Sequence, residues 1–152
     1  MNIWHDVSES RIKPEDFLAV IEITRGDKKK YELDKETGCI ILDRILYTSM
    51  QYPANYGFIP STLDGDGDCL DCYIIGDTLP VKSVAIVYPR LCIDCIDHDG
   101  QDYKIISTLD PYLSDEEVMM VAEAICRAMG LQITAIQDKE FAMRVIEVCS
   151  VK

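Results

Sequence analysis

Leu63-Asp64-Gly65-Asp66-Gly67-Asp68-Cys69-Leu70-Asp71-Cys72, running into the apolar Tyr73-Ile74-Ile75, is the stretch on which the reading of this chain turns. Four carboxylates and two glycines fall within positions 64–71, directly before a run that reads as a buried strand. Carboxylates this close repel one another. A chain tolerates them where a cation neutralises them, where water solvates them, or where one keeps its proton for chemistry. Clustered aspartate oxygens suit hard divalent ions such as Mg²⁺ and Ca²⁺. The stretch therefore predicts a carboxylate metal site at the mouth of a sheet, with a solvated acidic turn as the plain alternative. An EF-hand does not fit, although Asp64, Asp66 and Asp68 have its spacing. Its sixth position, a glycine in the motif, is Cys69; its twelfth, a glutamate, is Ile75; and the flanks read as strand.

Moving outward, 152 residues of 48% hydrophobic composition suit one globular domain with a real core. The N-terminus has no apolar signal region and no run is long enough to span a bilayer, which points to a cytoplasmic protein. A net charge of −12 argues against nucleic acid or an anionic membrane as partner. It leaves a phosphate substrate open if metal ions supply the positive charge.

The seven cysteines are odd in number, and with no secretion signal a disulfide framework is not expected. Cys69-x-x-Cys72 and Cys92-x-x-Cys95, nineteen residues apart, match a zinc-ribbon spacing. Both pairs lie in strand-like runs, however, where positions i and i+3 face opposite ways. Buried free thiols are the competing reading.

Along the chain, 1–16 reads as an irregular arm, and Phe17–Ile23 as a strand. A turn at Arg25-Gly26-Asp27 leads to a hairpin partner, Lys30–Asp34, and then a third strand, Cys39–Arg44. Tyr47–Pro60, with its prolines, glycine and aromatics, reads as an ordered loop. Val84–Ile96 forms one long strand broken at Pro89. A second acidic turn, Asp97–Asp102, precedes the strand Tyr103–Ile106. A multi-metal site built from two loops would need such a turn, although Asp and Gly also favour plain hairpin turns. His98 within it reads as solvated. Ser114 with Glu117 makes a capping box, and Val118, Val121, Ala122, Ile125 and Met129 keep helical spacing up to a Gly130 cap. A short strand at 132–136 and a last helix capped by Asp138 complete a single domain over 1–152.

Asp66-Gly67-Asp68-Cys69-Leu70-Asp71 resembles the D-G-D-P-x-D signature of the soluble family I inorganic pyrophosphatases. The resemblance extends in family order to Val20-Ile21-Glu22-Ile23, Lys30-Tyr31-Glu32-Leu33-Asp34-Lys35, Asp43-Arg44, Tyr52-Pro53-Ala54-Asn55-Tyr56-Gly57, and Asp97 to Asp102 followed by Lys104. It implies an α+β, mainly β fold: a small OB-like closed β-barrel with two C-terminal helices packed outside. It implies Mg²⁺-dependent hydrolysis of inorganic pyrophosphate to two phosphates by a metal-activated water, with several Mg²⁺ per active site. On this resemblance Asp66, Asp71, Asp97 and Asp102 are metal ligands, and Glu22 and Glu32 hold further metal or its waters. Asp68 helps to deprotonate the attacking water, and Lys30, Arg44, Tyr56 and Lys104 bind phosphate oxygens. A homo-oligomer is implied, hexamers being common among bacterial relatives.

Two departures stand out. Cys69 occupies the family's proline position, loosening the turn. The family's first long helix ends in a phosphate-holding Tyr-Lys pair, where this chain has Ala128-Met129-Gly130-Leu131 with Arg127 nearby as a partial substitute. Two alternatives therefore stay open. One is a divergent relative acting on another phosphoanhydride, or a poorly active metal- and phosphate-binding protein. The other is a zinc-ribbon interaction domain using Cys69, Cys72, Cys92 and Cys95.

Overall fold

The computed structural model describes residues 7–45, 51–65, 67–97 and 100–150, with the backbone alone at positions 9, 44 and 97. The architecture is mainly β with two helices. The strands are β1 (Phe17–Ile23), β2 (Lys29–Leu33), β3 (Ile40–Ile45), β4 (Asn55–Ile59), β5 (Leu70–Ile75), β6 (Val84–Asp97), β7 (Gly100–Thr108) and β8 (Ile133–Gln137). The helices are α1 (Asp115–Met129) and α2 (Lys139–Cys149).

β1 pairs antiparallel with β4 on one side and with β6 on the other. β4 continues antiparallel into β5, β5 lies parallel to β7, and β7 is antiparallel to β6. The pairings thus run β1-β4-β5-β7-β6 and back to β1, and β8 adds to β6. The long β6 serves β1, β7 and β8 in turn, with a register shift between Pro89 and Leu91 where proline cannot donate to the ladder. β2 and β3 form a separate hairpin.

One stretch corrects the sequence reading. Residues 55–59, expected within a loop, form β4, which lies between β1 and β5. Gly57 reads as a breaker, yet the strand requires it. A Cβ there would stand 1.8 Å from the Val20 carbonyl oxygen, so only glycine lets β1 and β4 approach this closely. Buried Asn55 then ties two turns to the strand. Its Oδ1 accepts from the Arg25 and Leu79 N–H groups, and its Nδ2 donates to the Asp77 carbonyl.

Both helices begin and end as their residues dictate. The Ser114 and Asp138 side chains accept from the N–H groups of Glu117 and Phe141, and Gly130 closes α1 in the left-handed conformation. The buried stripe of α1 (Val118, Ala122, Ile125) joins Tyr73, Ile93 and Ile106. That of α2 (Ala142, Val145, Ile146) joins Cys72, Ile74, Cys92 and Ile105. Successive strand residues face opposite ways, so the two helices cover opposite faces of the β5–β7–β6 sheet.

The same alternation removes the zinc-ribbon alternative. Cys72 and Cys92 lie in the α2-side cluster, Cys95 in the α1-side cluster, and Cys69 beside Val20 and Phe58. All four thiols are buried, and burial pushes those of Cys69 and Cys72 up to about 12, far from the thiolate that zinc binds. No helix among the described residues is long and apolar enough to cross a membrane.

Candidate active site

Register places the candidate residues. Val20, Phe58, Asp71, Lys104 and Ile93 form one lateral row across β1, β4, β5, β7 and β6. Two residues further along each strand, and so on the same face, comes the row Tyr56, Tyr73 and Ile106, where α1 covers the sheet. Asp102 lies two residues before Lys104. The polar groups therefore sit one pleat beyond the helix-covered core, Asp71 at the start of β5 and Asp102 and Lys104 in the first half of the parallel β7.

At the centre is Lys104. Its ammonium lies 2.8 Å from Asp71 Oδ2 and 3.0 Å from Asp102 Oδ2, and 5.8 Å from the centre of the Tyr56 ring. Burial works against its charge, but the carboxylates of Asp71 and Asp102 outweigh it and hold Lys104 well above the ordinary lysine range. Asp102 is buried at 5% exposure, and burial raises its carboxyl to about 6 against the opposing pull of Lys104. Its Oδ1 is buried without a hydrogen-bond partner. Tyr56 packs with its ring centre 4.9 Å from that of Tyr73 and lies within electrostatic reach of Asp71. Burial first, then the Asp71 charge, keeps that phenol protonated.

Beside this cluster a pocket of about 250 Å³ opens between the sheet face and the β2–β3 hairpin. Glu22, Asp68, Asp71 and Tyr56 line it from the sheet and the acidic loop; Lys30, Glu32 and Lys35 line it from the hairpin side. Glu22 is half-buried. Burial, then the nearby Asp71, raise it to about 8, and the Leu33 N–H donating to Oε2 pulls the other way. Lys30 is shared between Glu32 at 3.7 Å and Asp43 at 3.6 Å.

Of the residues singled out from sequence, the structure brings together Glu22, Lys30, Glu32, Tyr56, Asp68 and Asp71 in the pocket, and joins Asp102 and Lys104 to them through Asp71. Arg44 pairs with Lys30 across the hairpin and Asp97 pairs with Gly100 at the end of β6; their side chains, Asp66 and His98 lie outside the described residues. Arg127 is exposed on the last turn of α1 and does not line the pocket.

Sequence reasoning missed two residues. Lys35 lines the pocket and pairs with Asp68 at 2.7 Å. Its position just past the alternating Lys30-x-Glu32 was the available signal. Asp64, counted with the acidic cluster, is instead a buried loop-former. Its carboxylate accepts from the Gly65 and Tyr103 N–H groups, while its backbone closes the turn with Gly67 and Asp68.

Three features fit a hard divalent cation: the all-oxygen donor set, the partnerless Oδ1 of Asp102, and two carboxyls driven up by burial. No three metal-binding side chains converge among the described residues, and Lys104 stands between Asp71 and Asp102.

The family model of inorganic pyrophosphatase matches residues 19–123, which contain every element of this site. The chain belongs to the inorganic pyrophosphatase family. It is 44% identical over 117 residues to an inorganic pyrophosphatase of Aquifex pyrophilus, a match covering 74% of this chain and 66% of that one. With soluble inorganic pyrophosphatase 2 of Chlamydomonas reinhardtii it shares 54% identity over 106 residues, 68% of this chain and 55% of the relative. The chain thus spans about half to two thirds of the length of these curated relatives. Solved inorganic pyrophosphatases from Thermus thermophilus and Coxiella burnetii superpose with TM-scores of 0.86 and 0.85 at 29% identity. They cover 98% and 94% of this chain, and 97% of each solved chain. The segment matched by the family model runs from within β1 to within α1, so that β8 and α2 lie beyond it.

Proposed function

We propose that the chain hydrolyses inorganic pyrophosphate to two phosphates with Mg²⁺ as cofactor. The observation that carries this reading is the Asp71–Lys104–Asp102 cluster, with Lys104 and Asp102 buried and a carboxylate oxygen of Asp102 partnerless, opening onto a pocket walled by carboxylates and lysines. Asp66, Asp71, Asp97 and Asp102 would hold the ions, with Glu22 and Glu32 holding further ions or their waters. Bound divalent ions supply charge neutralisation and a more acidic water.

The remaining roles belong to the chain's own side chains. Lys104 keeps its charge at working pH and, together with Lys30 and Arg44, offsets the charge of the phosphates. Tyr56 remains a neutral hydroxyl donor for a phosphate oxygen. Asp68, exposed at the pocket wall, accepts a proton from the attacking water. Water and pyrophosphate meet in a pocket whose walls are a sheet and a hairpin, so few groups must be ordered during the reaction. We also read the strand circuit as a small closed OB-like barrel forming one domain over 1–152, and the working form as a cytoplasmic homo-oligomer, as the family resemblance implies.

The test is phosphate release from pyrophosphate with and without excess Mg²⁺, for the chain and for Asp68→Asn. Metal-dependent turnover that collapses by a hundredfold or more in the variant is expected, within the range of general-base contributions. A folded, Mg²⁺-loaded chain that releases no phosphate would overturn the proposal and direct the search to other phosphoanhydrides.

A further inference from the structure

The turn that carries Lys35 is built rather than loose. Asp34 accepts from the Glu36 N–H and the Thr37 hydroxyl, its backbone bonds Gly38 and Cys39, and Thr37 Oγ1 accepts from the Cys39 N–H. The turn follows directly on β2, so Lys35 is delivered to the pocket by the same hairpin that delivers Lys30. Its ammonium reaches across to the acidic loop, 2.7 Å from Asp68 Oδ1 and 3.5 Å from the Gly67 carbonyl.

Charge makes this position informative. Among the described residues lining the pocket, the carboxylates of Glu22, Glu32, Asp68 and Asp71 face only two ammonium groups, Lys30 and Lys35. Lys30 is shared between two carboxylates, and Lys104 is buried between two more. The Lys35–Asp68 pair is solvent-exposed at both ends, with side-chain exposures of 47% and 65%. Such a pair adds little to stability and exchanges partners readily. An anion entering the pocket meets Lys35 at its rim.

We propose that Lys35 is a further substrate-contacting residue: its ammonium moves from Asp68 to a phosphoryl oxygen of the bound pyrophosphate. This rests on the pyrophosphatase reading above. One charge-assisted contact is exchanged for another, and Asp68 is released from the ion pair as substrate binds.

The experiment measures binding of imidodiphosphate, a non-hydrolysable pyrophosphate analogue, by calorimetry at saturating Mg²⁺, alongside kcat and KM for pyrophosphate. The chain is compared with Lys35→Met, Lys35→Arg and Asp68→Asn. Lys35→Met is expected to weaken imidodiphosphate binding and raise KM tenfold or more, with an unchanged melting temperature. Lys35→Arg is expected to restore most of the affinity, and Asp68→Asn, which removes the carboxylate that competes for the Lys35 ammonium, to bind imidodiphosphate more tightly while its turnover is lost. Affinity and KM within twofold in Lys35→Met would overturn the proposal. So would equal loss of binding in Asp68→Asn, which would make Lys35 a prop for Asp68. An unmodified chain that neither binds imidodiphosphate nor hydrolyses pyrophosphate would overturn the functional reading itself, and this proposal with it.

Discussion

Replacing Lys104 by methionine removes one charge from the centre of the site and leaves Asp71 and Asp102 facing each other. Both carboxylates lie within 3.0 Å of the ammonium, and Asp102 and Lys104 are buried at 5% and 9% exposure. Breaking a buried pair by removing one partner costs about 3–5 kcal/mol, chiefly through the charge left behind. In a domain of this size 1 kcal/mol corresponds to about 2–4 °C, so the melting temperature in EDTA should fall by roughly 6–20 °C. Two further measurements give the mechanism. Excess Mg²⁺ should recover part of the loss, because it neutralises the same carboxylates. Adding Asp102→Asn to Lys104→Met should also recover part of it, because the uncompensated charge is then gone, giving a double-mutant cycle with strong coupling. A Lys104→Met protein that melts with the unmodified chain in EDTA, or a cycle in which the two losses simply add, would refute the reasoning.

Gly57→Ala should cost about 3 kcal/mol or more, since the new Cβ meets the Val20 carbonyl oxygen at 1.8 Å and both partners are backbone; urea unfolding that matches the unmodified chain would contradict this. The pH dependence of the metal-free protein should carry the mark of Glu22. Burial raises it to about 8 from 4.5, so the folded state binds that proton more tightly than the unfolded chain does. The stability this provides is fully present below pH 4.5 and is lost as pH rises to 8. Glu22→Gln, which keeps the neutral form, should therefore gain on the unmodified chain across that window in EDTA. Chemical denaturation at several pH values measures the difference, and a pH-independent one would contradict the burial argument.

Much of the fold was legible because local chemistry and tertiary packing agree. Ser114, Gly130 and Asp138 mark helix ends by the hydrogen bonds that they make, and the apolar stripes between them are the buried stripes. Asn55–Ile59 was misread because glycine and proline nearby are local breaker signals. The need for Gly57 comes from β1, more than thirty positions away in sequence, which no local pattern shows. The cysteine spacing misled for the converse reason: a zinc pattern in sequence becomes, once strands alternate, thiols in three separate clusters. In the site, Asp71, Asp102 and Lys104 were legible as residues but their mutual arrangement was not. It follows from the parallel register of β5 and β7, which sets Asp71 beside Lys104. Lys35 was quoted within its segment and given no role, because only the folded hairpin carries it across to Asp68.

The central claim, that water is added across pyrophosphate in this pocket, is tested most directly by hydrolysis in water enriched in oxygen-18, followed by mass spectrometry of the phosphate. The claim predicts one solvent oxygen incorporated per pyrophosphate cleaved, only with Mg²⁺ present, and labelled phosphate forming a hundredfold or more slowly with Asp68→Asn. No labelled phosphate from the folded, Mg²⁺-loaded chain, or labelling undiminished in Asp68→Asn, would contradict it.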